Sequence, residues 1–127
     1  MRDFTRQKYI ELLDALLKAG YKFQTYRDAV SGLSGRAIIL RHDVDRNPAA
    51  SLALAKIESE KAAFGSYYFR SPNFDREDFY MRQIIDLGHE IGYHYEDLSI
   101  TGGHYEKAYE SFKQNLARLR SIAVVST

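Results

Sequence analysis

The sequence predicts an α/β fold with parallel strands and flanking helices, arranged as an open sheet or as part of a (β/α) barrel. Segments with helical and strand-like apolar patterns alternate along the 127 residues, and two charged clusters directly follow predicted strands. Such alternation is typical of parallel strands joined by right-handed crossover helices. The charged clusters should then meet at the carboxyl edge of the sheet, where α/β proteins place their sites.

The first third of the chain predicts one helix, a connecting segment and one strand. Apolar residues recur at helical spacing from residue 5 to residue 19, and Gly20 stands where a helix often ends. Residues 21–35 show no sustained period and predict a connection. The apolar run at residues 37–40 predicts a short buried strand, which ends abruptly in the charged cluster at residues 41–46.

The rest of the chain continues the alternation of helices and strands. Asn47 is a suitable N-cap and Pro48 fits the first helical position, so a helix is expected over residues 48–63. Gly88 should end a later helix that opens at or near Asp75. Two further strands are predicted at residues 65–69 and 90–95, and a last helix at residues 105–120.

The length and the 45% hydrophobic content suit a single domain over residues 1–127. The last six residues, 122–127, predict the beginning of a fourth strand. We therefore expect a domain that is truncated at its C-terminus and a barrel that is only partial. Open sheet edges favour pairing with another chain, so we also expect self-association through residues 123–125 or the neighbouring edge strand.

The composition excludes several classes of function. The formal net charge is +1, which gives no electrostatic reason to expect nucleic acid or an anionic membrane as a partner. The chain has no cysteine, so any bound metal must use His, Asp or Glu as ligands. No signal-peptide run and no apolar stretch of membrane-spanning length is present, which predicts a soluble, cytoplasmic protein.

Two acids in the first charged cluster are candidates for catalysis or metal binding. Asp43 and Asp45 are two residues apart, so in an extended backbone both carboxylates project to one face and Val44 to the other. A divalent cation on one carboxylate would relieve their mutual repulsion and leave the other as a base for water. The alternative is a pair of solvated loop acids that form ion pairs with Arg41 and Arg46.

The third predicted strand carries two histidines on opposite faces. Glu90, Gly92 and His94 share one face, and His89 lies on the other. His94 is the better candidate for a zinc ligand, because it stands near the carboxyl end of the strand and neutral imidazole is a common ligand of zinc. A hydrogen-bonded structural role is the alternative for His94, and it is the role that we expect for His89.

The two clusters together resemble a known family. Arg-His-Asp-Val-Asp stands at residues 41–45, and Gly-His-Glu-Ile-Gly-Tyr-His stands at residues 88–94. These motifs resemble the polysaccharide deacetylase superfamily, also called the NodB-homology or carbohydrate esterase family 4 superfamily. The resemblance spans roughly residues 37–119 and extends to polysaccharide deacetylase-like proteins associated with bacterial surface-polysaccharide clusters.

The resemblance implies a distorted (β/α) barrel, of which this chain would form the N-terminal part. It also implies that Asp43 is the general base, and that Asp45 and His94 bind a divalent metal, usually zinc. The second histidine of the family motif falls on Leu98, so a third ligand is missing. The family's later motifs, which include a histidine that protonates the leaving amine, have no counterpart. The open candidates for the third ligand are Glu96, Asp97, His104 and a residue outside this chain.

These residues lead to three hypotheses about function. The first is a hydrolase that removes an acyl group, acetyl in the first instance, from an N-acylated sugar. In it a zinc-type metal on Asp45 and His94 activates water, and Asp43 takes the proton. The second is a non-catalytic fragment or binding module, and the third is another metal-dependent amidohydrolase or a phosphoesterase. The first requires these three residues to share one cleft, where some of the ten Tyr and seven Phe could bind a carbohydrate.

Overall fold

A computed structural model describes residues 4–33 and 35–125 of the chain as a mixed α/β fold. Its strands run parallel to their neighbours and form two small sheets, which do not close into a barrel within the described residues. In chain order the elements are α1 (Arg6–Lys18), β1 (Lys22–Phe23), α2 (Tyr26–Val30), β2 (Ala37–Ile38), β3 (Arg41–Val44), α3 (Pro48–Glu60), β4 (Ser66–Phe69), a 3₁₀ turn (Ser71–Asn73), α4 (Phe74–Asp86), β5 (Glu90–Tyr93), α5 (Asp97–Ile100) and α6 (Tyr105–Ile122).

The larger sheet has the strand order β3-β4-β5, and its register aligns the carboxyl ends of the three strands. Asp43 pairs with Tyr68, and Tyr68 pairs in turn with Gly92. The ladder continues past β5, because the backbone N–H of His94 donates to the carbonyl of Phe69 at 2.9 Å. The residues that follow the three strands therefore emerge side by side at one edge of the sheet.

The main hydrophobic core covers one face of this sheet and packs against α3, α4 and α6. Strand residues alternate between the two faces, so every second side chain enters this core. The strand residues in the core are Val44, Tyr67, Phe69, Ile91 and Tyr93. A smaller cluster of Tyr9, Leu13 and Ala63 attaches α1 to the rest of the fold. The opposite face of the sheet is left to carry polar and aromatic side chains.

The first strand of the larger sheet lies later in the chain than the sequence predicts. The predicted buried strand at residues 37–40 is formed only in its first half, as the two-residue strand β2, and it is half-buried instead of buried. The charged residues of β3 form the strand that pairs with β4. They follow a strand pattern of their own, since Val44 is buried while Arg41 and Asp43 are exposed.

The segment at residues 21–35, predicted to be a connection, contains β1 and the short helix α2. Thr25 caps α2 by accepting a hydrogen bond from the N–H of Asp28, and the Asp28 carboxylate accepts one from the N–H of Thr25. This reciprocal pair is a capping box, which satisfies two backbone donors that the helix itself leaves free. The helix at residues 48–63 is confirmed in position but ends at Glu60.

The predicted fourth strand is not formed within the described residues. Ile122 is the last residue of α6, and residues 123–125 follow it without a strand assignment. Ala123 and Val125 are buried against the chain's own core. Residues 126–127 lie outside the described residues, and self-association through this segment stays a prediction.

Candidate functional site

The carboxyl ends of β3, β4 and β5 enclose an open cavity of about 550 Å³, which we call the acidic cavity. Each strand contributes side chains at or just beyond its last residue, as parallel strands with aligned ends require. The polar residues that line it are Asp43 and Asp45 from β3, Arg70 after β4, and His94 and Glu96 after β5. Asp43, Asp45 and His94 therefore share one cavity, as the sequence predicts.

Arg70 bridges the two sides of the acidic cavity. Its Nη1 lies 2.9 Å from an Asp45 oxygen, and its Nε and Nη2 lie 2.7 and 3.1 Å from the two oxygens of Glu96. This two-point contact with Glu96 is the geometry in which guanidinium and carboxylate groups bind each other best. Hydrogen bonds to Glu96, and secondarily to Asp45, raise the pKa of Arg70 above its ordinary value, so the bridge keeps its positive charge.

Asp43 lies on the other side of the cavity, between a guanidinium and an imidazole. Arg41 Nε donates to Asp43 Oδ1 at 2.9 Å, and the His94 Nε2 lies 3.7 Å from Asp43 Oδ2. His94 Nδ1 is buried and has no hydrogen-bond partner among the described residues. Asp43 therefore forms the ion pair with Arg41 that was the alternative to catalysis, and it also lies near His94, as the expected shared cleft requires.

A second cavity of about 570 Å³ adjoins the first, and His94 lines both. We call it the aromatic cavity, because Tyr68, Tyr93, Tyr95 and Phe112 line it together with the guanidinium groups of Arg41 and Arg120. Arg41 lies over the Tyr68 ring at 4.2 Å from its centroid, which is a cation–π distance. The volume is within the usual range for small-molecule sites.

A buried carboxylate supports the strands from the opposite face of the sheet. Glu58 of α3 has no exposed surface, and it accepts hydrogen bonds from Tyr9 and, at 2.6 Å, from Tyr67. His42 Nε2 lies 2.7 Å from the same carboxylate. Burial opposes the ionisation of Glu58, but the contact with His42 and the two tyrosine hydroxyls outweigh it and lower its pKa. His42 thereby anchors β3 directly beside Asp43.

A second buried acid lies close to the acidic cavity. Glu77, in the first turn of α4, is 1% exposed, and its Oε2 has no hydrogen-bond partner among the described residues. Burial raises its pKa, and the charges of Arg76 and Arg70 oppose that shift. Glu77 does not line either cavity, so it belongs to the surroundings of the site and not to its surface.

The structure separates the open candidates for a third metal ligand. Glu96 lines the acidic cavity. Asp97 is buried elsewhere and accepts hydrogen bonds from Tyr93, Ser111 and Asn115. His104 is exposed at the start of α6 and lines neither cavity. Of the candidates within the chain, Glu96 alone shares the cavity with Asp45 and His94.

The structural role predicted for His89 is confirmed. His89 is buried on the face opposite His94, and its Nδ1 accepts a hydrogen bond from the N–H of Gly65 at 3.0 Å. Its Nε2 lies 2.8 Å from the carbonyl of Ala55 and donates to it. Burial lowers the pKa of His89, which agrees with a neutral ring that uses one nitrogen as acceptor and the other as donor.

Sequence reasoning missed Arg70 and the four aromatic residues that line the aromatic cavity. Arg70 directly follows β4, the same position relative to a strand that identified Asp45, so its place in the chain was an available signal. The aromatic residues carry no comparable signal, because Phe112 comes from α6 and reaches the cavity only through the tertiary fold. The rings of Tyr93 and Phe112 stack at 5.6 Å between centroids, and Tyr95 meets Phe112 edge-on at 5.7 Å.

The donor types in the acidic cavity fit a divalent cation, although their present arrangement is that of ion pairs. Carboxylate oxygen and imidazole nitrogen are both ligands of zinc. Across residues 4–33 and 35–125, no group of three His, Asp or Glu side chains is already arranged around one point to hold a metal ion. Arg70 holds Asp45 and Glu96, so a cation would have to displace its guanidinium.

Comparisons with protein-family models, curated proteins and solved structures found no match for this chain. In the part of the chain that the structure describes, no helix combines the length and the apolar character needed to cross a membrane.

Proposed function

We propose that this chain is part of a metal-dependent hydrolase that removes an acyl group from an N-acylated carbohydrate. The observation that carries the proposal is that Asp43, Asp45, His94 and Glu96 line one cavity at the carboxyl ends of three neighbouring parallel strands. The motif resemblance supports it, and it extends the proposal to a partial (β/α) barrel of the polysaccharide deacetylase type.

The proposed roles follow from where each side chain lies. Asp45 and His94 would hold the cation, with Glu96 as the further carboxylate of the same cavity. When bound, the cation would lower the pKa of water and polarise an acyl carbonyl. Asp43 would accept the proton of that water, and its hydrogen bond from Arg41 fixes the direction of the carboxylate.

The aromatic cavity supports a carbohydrate as the substrate. Tyr95 is 68% exposed and presents a flat ring beside His94, which lines both cavities. Aromatic rings bind the apolar faces of sugars while nearby polar groups bind the hydroxyls. A sugar ring held on Tyr95 and Phe112 would place a substituent within reach of the acidic cavity.

A second candidate function is a binding module without catalysis, and Arg70 favours it. Three carboxylates line the acidic cavity, and Arg70 already forms ion pairs with two of them, Asp45 and Glu96. A cluster of this kind is stable without a metal. The missing counterpart of the family's second histidine, at Leu98, points the same way.

Metal content and acyl release test the first proposal against the second. The protein is loaded with zinc, dialysed and measured for bound metal, and then incubated with a panel of N-acetylated amino sugars and a phosphomonoester. Asp43→Asn should abolish acetate release while bound zinc remains, and His94→Ala should lower both. The matched control is Asp78→Asn, which removes an exposed acid that forms an ion pair on α4. Bound zinc without acetate release from any sugar would favour the binding module, and phosphate release would favour a phosphoesterase.

Arg70→Gln gives an independent test of the metal site. The substitution removes the guanidinium that occupies Asp45 and Glu96, so a true cation site should bind zinc or manganese more tightly than in the wild type. Calorimetric titration with each metal measures the change in affinity. The control is Arg82→Gln, which removes an arginine that forms an ion pair with a surface acid of its own helix. An affinity that falls or stays unchanged in Arg70→Gln would identify the cluster as ion pairs alone.

A further inference from the structure

We infer that the aromatic cavity binds a sugar that carries one carboxylate, such as a uronic acid residue, with Arg120 as the group that recognises the charge. The inference rests on the proposed function, because it names the class of carbohydrate that would occupy the same site. Its basis is the distribution of charge between the two adjoining cavities. The cavities share His94, so a ligand in one lies next to the other.

The aromatic cavity is positive and the acidic cavity is negative. Arginines are the only fully charged side chains that line the aromatic cavity, and no acid among the described residues lines it. The acidic cavity carries three carboxylates, of which Arg41 balances Asp43 while the single guanidinium of Arg70 faces both Asp45 and Glu96, so one negative charge is left over. An anionic group is therefore attracted to the aromatic cavity and repelled by its neighbour, which fixes the direction in which an acidic ligand can bind.

Arg120 is the guanidinium that remains available in the aromatic cavity. Arg41 is held by Asp43 at 2.9 Å and by the face of Tyr68, so its charge is already balanced. Arg120 uses its Nε to donate to the carbonyl of Val125 at 3.2 Å. That bond holds the Nε side of the guanidinium, and among the described residues it leaves the two Nη groups to bind a planar carboxylate.

The size of the charge favours a carboxylate over a phosphate. With Arg41 balanced by Asp43, the aromatic cavity has one guanidinium, that of Arg120, to offer a ligand. A carboxylate brings one negative charge, whereas a phosphate monoester brings about 1.5 to 2 at neutral pH. The excess negative charge of the acidic cavity would repel the additional negative charge of a phosphate. The exposed Tyr95 ring and Phe112 then supply the apolar surface for the sugar ring.

A matched set of three ligands tests the inference on the whole chain: a methyl glucuronide, the corresponding methyl glucoside and a glucose phosphate. Affinities are measured by backbone amide NMR titration in EDTA, without metal and without turnover. The glucuronide should bind about fivefold more tightly than the glucoside, which is the size expected of one partly exposed charge contact. Its shift changes should centre on Tyr95, Phe112 and Arg120.

Two variants complete the test. Arg120→Gln should remove the preference for the glucuronide while leaving the affinity for the glucoside unchanged, and Arg82→Gln, on the surface of α4, should leave both unchanged. Equal binding of glucuronide and glucoside in the wild type would overturn the inference, and so would a preference that survives Arg120→Gln. Tighter binding of the glucose phosphate would overturn the assignment to a carboxylate. Because the titration requires neither zinc nor acetate release, its failure is distinct from a failure of the proposed hydrolase.

Discussion

Replacing the buried carboxylate Glu58 with glutamine should destabilise the protein strongly. Glu58 is fully buried, and its two oxygens accept hydrogen bonds from Tyr9 and Tyr67 and contact His42. Glutamine has the same shape but offers one acceptor oxygen and an NH₂ group. At least one of the three partners would then face a donor in place of an acceptor.

The cost can be estimated from the contacts that are lost. Removing one partner of a buried charged pair typically costs about 3 to 5 kcal/mol, and a buried polar group left without its partner costs about 1 to 3 kcal/mol. Because glutamine keeps one acceptor, we expect a loss of about 3 kcal/mol in the free energy of unfolding. For a chain of 127 residues this corresponds to a fall in Tm of about 10 °C.

Urea unfolding followed by far-ultraviolet circular dichroism measures this loss. The matched control is Glu60→Gln on the same helix, because Glu60 is exposed and its substitution should change stability by less than about 0.5 kcal/mol. If Glu58→Gln is as stable as Glu60→Gln, the buried carboxylate does not hold the strands as described.

The pH dependence gives a second measurement of the same contact. The pKa of Glu58 lies below its ordinary value of 4.5 in the folded state, so the unfolded chain binds its proton first as the pH falls. The stability from Glu58 is therefore complete above about pH 4.5 and is lost as the pH drops through the lower folded pKa. The stability difference between wild type and Glu58→Gln should be constant at neutral pH and narrow in acid. A difference that widens in acid would contradict the direction of the pKa shift.

Three further substitutions test other parts of the structure. Asp97→Asn weakens a buried acceptor of three hydrogen bonds, so the free energy of unfolding should fall by about 1 to 3 kcal/mol in urea titrations. Gly92→Ala would place a Cβ within 2.8 Å of three ring carbons of Tyr68, so it should cost about 1 to 3 kcal/mol and shift the NMR signals of that ring. His89→Asn should leave zinc affinity near the wild-type value in a calorimetric titration, and a loss as large as that in His94→Ala would contradict the face assignment.

The alternation of helices and strands was predictable from the sequence, whereas the position of β3 in the chain was not. The apolar run at residues 37–40 suggested a buried strand, but the strand that pairs with β4 is the charged segment Arg41–Val44. A strand with one face on a polar cavity needs few apolar residues, and β3 buries Val44 while it exposes Arg41 and Asp43. Hydrophobicity alone therefore identifies residues 37–40, and not the adjacent segment Arg41–Val44, as the strand that pairs with β4.

Two acids and one histidine of the site were predictable, because functional residues of parallel sheets lie at the carboxyl ends of the strands. Asp43, Asp45 and His94 lie at or just beyond the ends of β3 and β5, and the structure brings them into one cavity. Their roles as base and metal ligands stay predictions. Arg70 obeys the same positional rule, but the chemistry of metal ligands points to acids and histidines and not to the cation that binds them.

The buried support of the site lay beyond sequence reasoning for a physical reason. An acid in the last turn of a helix, such as Glu58, is solvent-exposed in most proteins, and only the tertiary fold brings Tyr9, His42 and Tyr67 to it. In β3 consecutive side chains point to opposite faces, so the residue that binds Glu58 directly precedes Asp43 in the strand. The position of the Asp43 carboxylate therefore depends on a contact on the far side of the sheet. A change at Glu58 that leaves the protein folded should still loosen the geometry of the acidic cavity.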